Sequence, residues 1–176
     1  MHGLGRESIL EALDALASEL QHENKACELF LVGGAALVVL YGARESTKDV
    51  DAFAIDASMK GPLRDAAARV AVTRDLPADW LNDAAKGFVH GFSPGAVVLD
   101  RPRLRVRALA PQQLLAMKLC AWRDDIDIED ARLLLNHLTG SKREIWAQLE
   151  PHIVPGREMK AQYAFDDLWE AKNEPA

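Results

Sequence analysis

The segment from Leu29 to Ile55, LFLVGGAALVVLYGARESTKDVDAFAI, constrains the fold more than any other part of the chain. Leu29 to Val32 is a short apolar run with the character of a buried strand, and Gly33-Gly34 ends it where the backbone can turn sharply and approach a ligand closely. Ala35 to Tyr41 then predicts a helix. A helix that begins at such a turn aims unpaired N–H groups and the positive end of its dipole above the strand, which favours a phosphate there. Val50 to Ile55 predicts a second strand. Side-chain alternation turns Asp49 and Asp51 one way and Val50 the other. Two adjacent carboxylates repel unless a cation lies between them, and Mg2+ favours a few carboxylates together with substrate phosphates.

Around this segment, apolar residues at Ile9, Leu10, Leu13, Leu16, Ala17 and Leu20 make Glu7 to Leu20 a helical stripe, with Ser8 as its expected cap. Gly61-Pro62 precedes another helical stretch, Leu63 to Val70. Leu76 to Phe92 mixes Pro, Gly and aromatics and reads as a short helix within a loop. Ala96 to Leu99 and Leu104 to Ala108 predict two strands about a turn at Arg101-Pro102, a hairpin. From Pro111, placed at a first helical position, the chain reads as helical. The order predicts an α+β fold: a small mixed β-sheet packed with helices over residues 1–110, followed by a helical C-terminal part, 111–176, packed on that core. A chain of 176 residues can bury one core of this size.

With 49% hydrophobic and 27% charged residues, the composition is that of a globular chain and excludes disordered, fibrous and coiled-coil classes. The longest apolar stretch, near Ala35 to Leu40, is too short to span a bilayer, and no secretory leader is legible. The expectation is a cytoplasmic protein without a membrane partner. Cys27 and Cys120 have neither metal-binding spacing nor a disulfide framework and are read as semi-buried free thiols. A net charge of −6 argues against broad, non-specific nucleic-acid binding. Arg101, Arg103, Arg105 and Arg107 alternate, however, and strand periodicity would place all four on one face. That face is either solvated or a strip that contacts phosphates.

Lys118 interrupts an apolar stripe formed by Leu114, Leu115, Ala121 and Trp122 on the predicted helix from Pro111. Such a lysine either runs its charge outward along its stem or reaches a phosphate or carboxylate, where a point donor stabilises a transferring phosphoryl group. Downstream, RDDIDIED offers five acids beside Arg123. Asp127 reads as an N-cap and Asp130 as the better partner for Lys118.

Gly33-Gly34 followed by Asp49-Val50-Asp51 resembles the signature of the nucleotidyltransferase superfamily, a Gly-Gly or Gly-Ser turn ahead of Asp-x-Asp on the next strand. More narrowly, Arg44 through Asp51, Met117-Lys118-Leu119 and Arg123 through Asp130 are similar to the small bacterial nucleotidyltransferase-like domains allied to AbiEii-type toxins of toxin–antitoxin systems. The resemblance runs from about Leu29 to Leu135, and the ordered set of motifs carries it. It implies a polymerase-beta-like fold, up to two Mg2+ ions on Asp49 and Asp51, and nucleotide phosphates against Gly33 and Gly34. Lys118 would contact those phosphates and Asp130 would orient it or serve as a further acid. Arg44 and Thr47 would contact phosphate or support the residues that do. The implied reaction moves a nucleoside monophosphate from an NTP to a hydroxyl of tRNA, another RNA or a protein, with a cognate antitoxin as a further partner. The alternative is a catalytically reduced member that binds a nucleotide or a partner protein. Two family features differ: Gly34 and Ala35 stand where a serine follows the first glycine, and for the third metal-binding aspartate the sequence offers only Asp100, beside a turn.

Overall fold

The computed structural model describes residues 3–173; the outermost residues of the two expected ranges, 1–2 and 174–176, lie outside the described residues. In chain order the elements are β1 (Leu4–Gly5), α1 (Arg6–His22), β2 (Cys27–Leu31), α2 (Gly33–Ala36), β3 (Ser46–Thr47), β4 (Val50–Ala54), α3 (Lys60–Arg74), β5 (Leu81–Asn82), β6 (Pro94–Arg101), β7 (Leu104–Leu109), α4 (Pro111–Ala121), α5 (Asp125–Asn136), α6 (Lys142–Leu149) and α7 (Glu158–Asn173). They form two compact units. One runs to Lys86 and resumes for Pro94–Leu109; the other takes Gly87–Ser93 and the described chain from Ala110 onward.

The first unit is built on a mixed sheet of strand order β5-β4-β2-β7-β6. The apolar run of β2 lies at its centre, antiparallel to β4 and parallel to β7. One face carries Leu29, Leu31, Val50, Ala52, Leu104 and Val106, all buried. Over that face α1 packs on β6 and β7, with α3 beside it, and Leu13, Leu16, Leu20, Leu63 and Val70 complete the core. Each leucine so buried contributes about 1.5–3 kcal/mol of transfer free energy. Arg69 of α3 ties the two helices by pairing with Glu19 and Glu23 of α1. The periodicity of Glu7 to Leu20 is realised, but the helix begins at Arg6 with Gly5 as its N-cap and no side-chain cap, so Ser8 lies inside the helix instead of capping it. Cys27 is half-buried and Cys120 fully buried, both as free thiols. Burial, with Asp56 and Glu28 adding to it, pushes the Cys27 thiol up to about 11.

The helix after β2 starts at Gly33, two residues earlier than the pattern suggests, and after Ala36 widens into a π-helical stretch, Leu37–Tyr41. Arg6 steadies this stretch, its Nε donating to the Val39 carbonyl at 3.1 Å. The hairpin β6–β7 forms as predicted, with Arg101 paired to Leu104 across the turn. Its arginines, however, divide between the two strands and the turn, and they are engaged locally. Arg101 pairs with Asp14, Arg103 with Asn24, and Arg105 with Asp100, while Arg107 donates twice to the Gly95 carbonyl. The single-faced strip of four expected from alternation is therefore not formed.

In the second unit, Pro111 occupies the first turn of α4, as its fixed φ and missing N–H favour. This helix is buried on nearly every side, from Gln113 through Ala121, with Lys118 as the partly accessible exception. Gln113 is polar yet wholly buried, and it is satisfied by the amide of Ser93 and the carbonyls of His90 and Gly91. That pairing holds Gly87–Ser93 to the second unit. Ser141 and Glu144 form a reciprocal capping box at the start of α6.

Candidate functional site

Two glycines assemble the site in the first unit. Gly33 has φ +57°, a left-handed conformation that side chains rarely adopt, and a Cβ on it would come 3.3 Å from Asp51 Oδ2. A Cβ on Gly34 would meet Thr47 Oγ1 at 2.5 Å, with Arg44 Cζ at 3.4 Å. The turn thus brings its backbone against Asp51 on one side and Thr47 and Arg44 on the other. Strand β1 holds Thr47 in place, with Leu4 opposite it, and the Val32 N–H donates to the Asp51 carbonyl at 2.9 Å as the ladder ends.

Asp49 and Asp51 flank Val50, which is completely buried while both aspartates are half-buried. A single short segment orients both carboxylates. Asn82 Nδ2 donates to Asp49 Oδ2 at 2.9 Å, and the Ala85 N–H donates to Asp51 Oδ1 at 3.2 Å. Asn82 also accepts from the Ala84 N–H and so opens a 3-10 turn, Ala84–Phe88, that aims the Ala85 amide. Leu76 to Phe92 therefore contains strand β5 ahead of its short helix. Its two residues pair in parallel with Val50 and Asp51. Sequence reasoning passed over Asn82 and Ala85 because a two-residue strand has no periodicity; an Asn followed two residues later by a short helical run was the available signal.

The donor chemistry suits a divalent cation held by Asp49 and Asp51 with substrate oxygens, and the missing Gly33 Cβ leaves space beside Asp51. A third acid is not supplied by the neighbouring strand. Register places Asp51, Val32 and Leu109 in one row and, two residues along on the same face, Phe53, Phe30 and Arg107 in another. Asp100 does not serve either. It sits level with Arg105 and Glu28, four residues from the Val32 row, about 13 Å along the strands, and it accepts from Arg105 Nη2 at 2.8 Å. Among the described residues, no group of three or more His, Cys, Asp or Glu is arranged to hold a metal.

Lys118 and Asp130 belong to the second unit, where they form an ion cluster. Lys118 Nζ lies 2.8 Å from Asp127 Oδ1 and 2.7 Å from Asp130 Oδ2, and its side chain is only 12% exposed. The expected Lys118–Asp130 pairing is present and Lys118 does not run out to solvent. Asp127, read from sequence as the N-cap of α5, is instead the second partner of Lys118. The cap is Asp124, whose Oδ1 accepts from the Asp127 N–H at 3.0 Å. Asp127 also accepts from the backbone N–H and Nε of Arg123. Burial alone would push the Asp127 carboxyl up, but the hydrogen bonds from Lys118 and Arg123 outweigh it and hold the group below the usual carboxylate range.

A mixed sheet with helices, a glycine-pair turn against Asp-x-Asp, and supporting Thr and Arg side chains define a domain of the nucleotidyltransferase superfamily. The chain belongs to the family described as Nucleotidyltransferase of unknown function (DUF6036), whose model matches residues 8–139. The matched range includes every residue of both clusters. No curated protein matches the chain, and no solved structure does.

Proposed function

We propose that the protein is a Mg2+-dependent, toxin-like nucleotidyltransferase of the AbiEii-allied kind, moving a nucleoside monophosphate from an NTP to a hydroxyl of tRNA, another RNA or a protein. The observation that carries this reading is the contact of the glycine turn with Asp51, Thr47 and Arg44, since a phosphate chain entering above Gly33 and Gly34 would meet backbone N–H groups, a hydroxyl and a guanidinium beside a carboxylate pair. Asp49 and Asp51 would hold the metal. When bound, Mg2+ supplies charge neutralisation on phosphoryl oxygens. Arg44 and Thr47 would position the phosphates, and Asn82 and the Ala85 N–H, which donate to Asp49 and Asp51, would keep the two carboxylates in place for the metal. In the reaction the acceptor oxygen bonds to the α-phosphorus, the α–β anhydride breaks, pyrophosphate leaves, and the acceptor proton is released. Lys118, oriented by Asp127 and Asp130, is assigned to the phosphates by family resemblance. A cognate antitoxin and a cytoplasmic location belong to the same reading.

A second reading, a catalytically reduced member that binds a nucleotide or a partner protein, is favoured by Leu109 and Arg107 occupying the strand positions where a third acid would stand. One experiment separates the two. The protein is incubated with each α-labelled NTP, Mg2+ and total RNA or a protein extract, alongside Asp51→Ala. Transfer that depends on Asp51 supports the enzyme, and transfer that survives Asp51→Ala sinks the proposed metal site. Failure of transfer with every NTP, accompanied by an Asp51-dependent thermal shift with Mg2+ and NTP, supports the reduced member; ligand at one hundred times its Kd stabilises by about 2.7 kcal/mol.

A further inference from the structure

The first unit contains a cavity of about 310 Å3 where α3 meets β4 and β5. It is a property of the sequence there: Ala52, Ala54, Ala67 and Ala78 stand where larger side chains would fill the space, with Leu29 and Leu63 completing the apolar wall. The cavity is half-open to solvent, and small side chains on a strand, a helix and a loop keep it deep and apolar. It is no defect of the surrounding core. Trp80 behind it is fully buried, with its indole N–H donating to the carbonyl of Ala67 at 3.0 Å.

Three cations line the same cavity: Lys60, Arg64 and Lys86. The lining acids are Asp56 and Asp83. Asp56 is turned to the Ser58 amide and hydroxyl, and Asp83 lies 3.7 Å from Lys60. Arg64 meets Asp65, an exposed neighbour outside the lining. Lys86 sits 5.9 Å from the centre of the Phe53 ring. The side chains of Lys60 and Arg64 are more than four-fifths exposed, which places them at the mouth. An apolar chamber lined by three cations against two carboxylates, with Lys86 turned to the Phe53 ring and not to an acid, suits a molecule with a flat or slender apolar body and one anionic group, and its volume lies in the range of small-ligand sites.

We propose that this cavity is a ligand site for a small amphipathic anion, separate from the phosphate turn at Gly33-Gly34. Asn82 lines the cavity and also holds Asp49 through its Nδ2. A ligand that shifts β5 therefore alters the support of the Asp49 carboxylate, so occupancy and the Asp49–Asp51 site are coupled through one side chain.

The test uses 1-naphthoate as the probe, with 1-naphthalenemethanol as its neutral counterpart, in titration calorimetry and amide-resolved NMR on the whole chain. The expected result is saturable 1:1 binding of naphthoate below about 1 mM, at least tenfold tighter than the alcohol. Amide shifts should cluster at Lys60–Ala67 and Leu81–Lys86. Ala67→Leu should abolish binding by filling the chamber. Should that variant fold poorly, Ala78→Phe at the exposed loop position blocks the mouth without touching the core, and Arg64→Glu with Lys86→Glu should remove the preference for the anion. Lack of saturable binding, equal affinity for the alcohol, shifts clustered elsewhere, or full binding by folded Ala78→Phe would each overturn the proposal.

Discussion

Gly34 shows how one missing methyl group can decide a site. With Thr47 Oγ1 2.5 Å from where a Cβ would stand, Gly34→Ala must turn the Thr47 side chain out of its place or displace β3 or the turn itself. A loss of about 1–3 kcal/mol is expected, the usual cost of overpacking. Thr47→Ala removes the nearest clashing atom, although Thr47 Cβ at 3.2 Å and Arg44 Cζ at 3.4 Å remain close. The double variant should therefore lose less than the sum of the singles, with a coupling of about 0.5–3 kcal/mol. Urea denaturation of the four proteins measures it, and strict additivity would show that Gly34 and Thr47 do not pack as described. At this scale the residues that were legible carry their own chemistry: Asp49, Asp51 and the glycine pair announce themselves by type and spacing. Asn82 and the Ala85 amide did not, because their function depends on a strand of two residues whose existence is decided by β4 alongside it. Asn82→Ala removes both its bond to Asp49 and its turn-opening bond to Ala84. It should cost about 1 kcal/mol in stability, and it should weaken any Asp51-dependent Mg2+–NTP thermal shift; an unchanged shift would deny Asn82 a positioning role.

Helix α5 begins three positions earlier than its most conspicuous reading, with Asp124 and not Asp127 as its cap. Asp124, Asp125 and Asp127 all have capping chemistry, and intrinsic preference cannot rank them. The decision is made by α4, whose largely covered Lys118 requires carboxylates and receives Asp127 and Asp130 from successive turns of α5. Once Asp127 is committed to that ion pair, Asp124 is left to cap. The same tertiary override explains why alternation misread the arginines of β6 and β7: the turn and the partners Asp14, Asn24 and Asp100 set their directions. The elements themselves, being long and strongly patterned, were legible throughout the hairpin, α1, α3 and α4. Lys118→Met should destabilise by about 3–5 kcal/mol near neutral pH, since it strands two buried carboxylates. The pH dependence has a definite sign. The Asp127 carboxyl titrates below its ordinary value of 3.8 in the folded state, so its contribution is complete above that pH and is lost as pH falls through the lower folded value. In Lys118→Met the main partner opposing burial is gone, the carboxyl rises, and protonation relieves the variant. The stability gap to the parent should therefore shrink between pH 7 and pH 4, as read by denaturant melts at both; an equal gap would assign the loss to packing alone.

At the scale of the whole molecule, charge bears on the acceptor. The sequence holds 21 basic against 27 acidic residues, a net charge of −6, and the one conspicuous basic run is engaged by the protein's own groups. Asp14 and Asp100 neutralise Arg101 and Arg105, while Arg107 is turned to the Gly95 carbonyl. Non-specific attachment to RNA derives its free energy from counterions released as Lys and Arg neutralise phosphates, so a net-negative chain whose arginine run is engaged internally gains little from a generic strand. A tRNA acceptor would have to be recognised at a few positions, not captured electrostatically. Random-sequence RNA is accordingly expected to bind more weakly than about 100 μM at 150 mM salt, with a shallow dependence of log K on log salt, since ordinary non-specific binders reach 10⁻⁴–10⁻⁶ M through many phosphate contacts. Filter binding or anisotropy across a salt series measures both quantities. Affinity near 1 μM with a steep slope would reveal a basic surface that the hairpin arginines do not account for, and would move the acceptor assignment toward RNA at large. Weak, shallow binding beside a detectable transfer reaction would confine the acceptor to a hydroxyl chosen by local shape, on a particular RNA or on a protein.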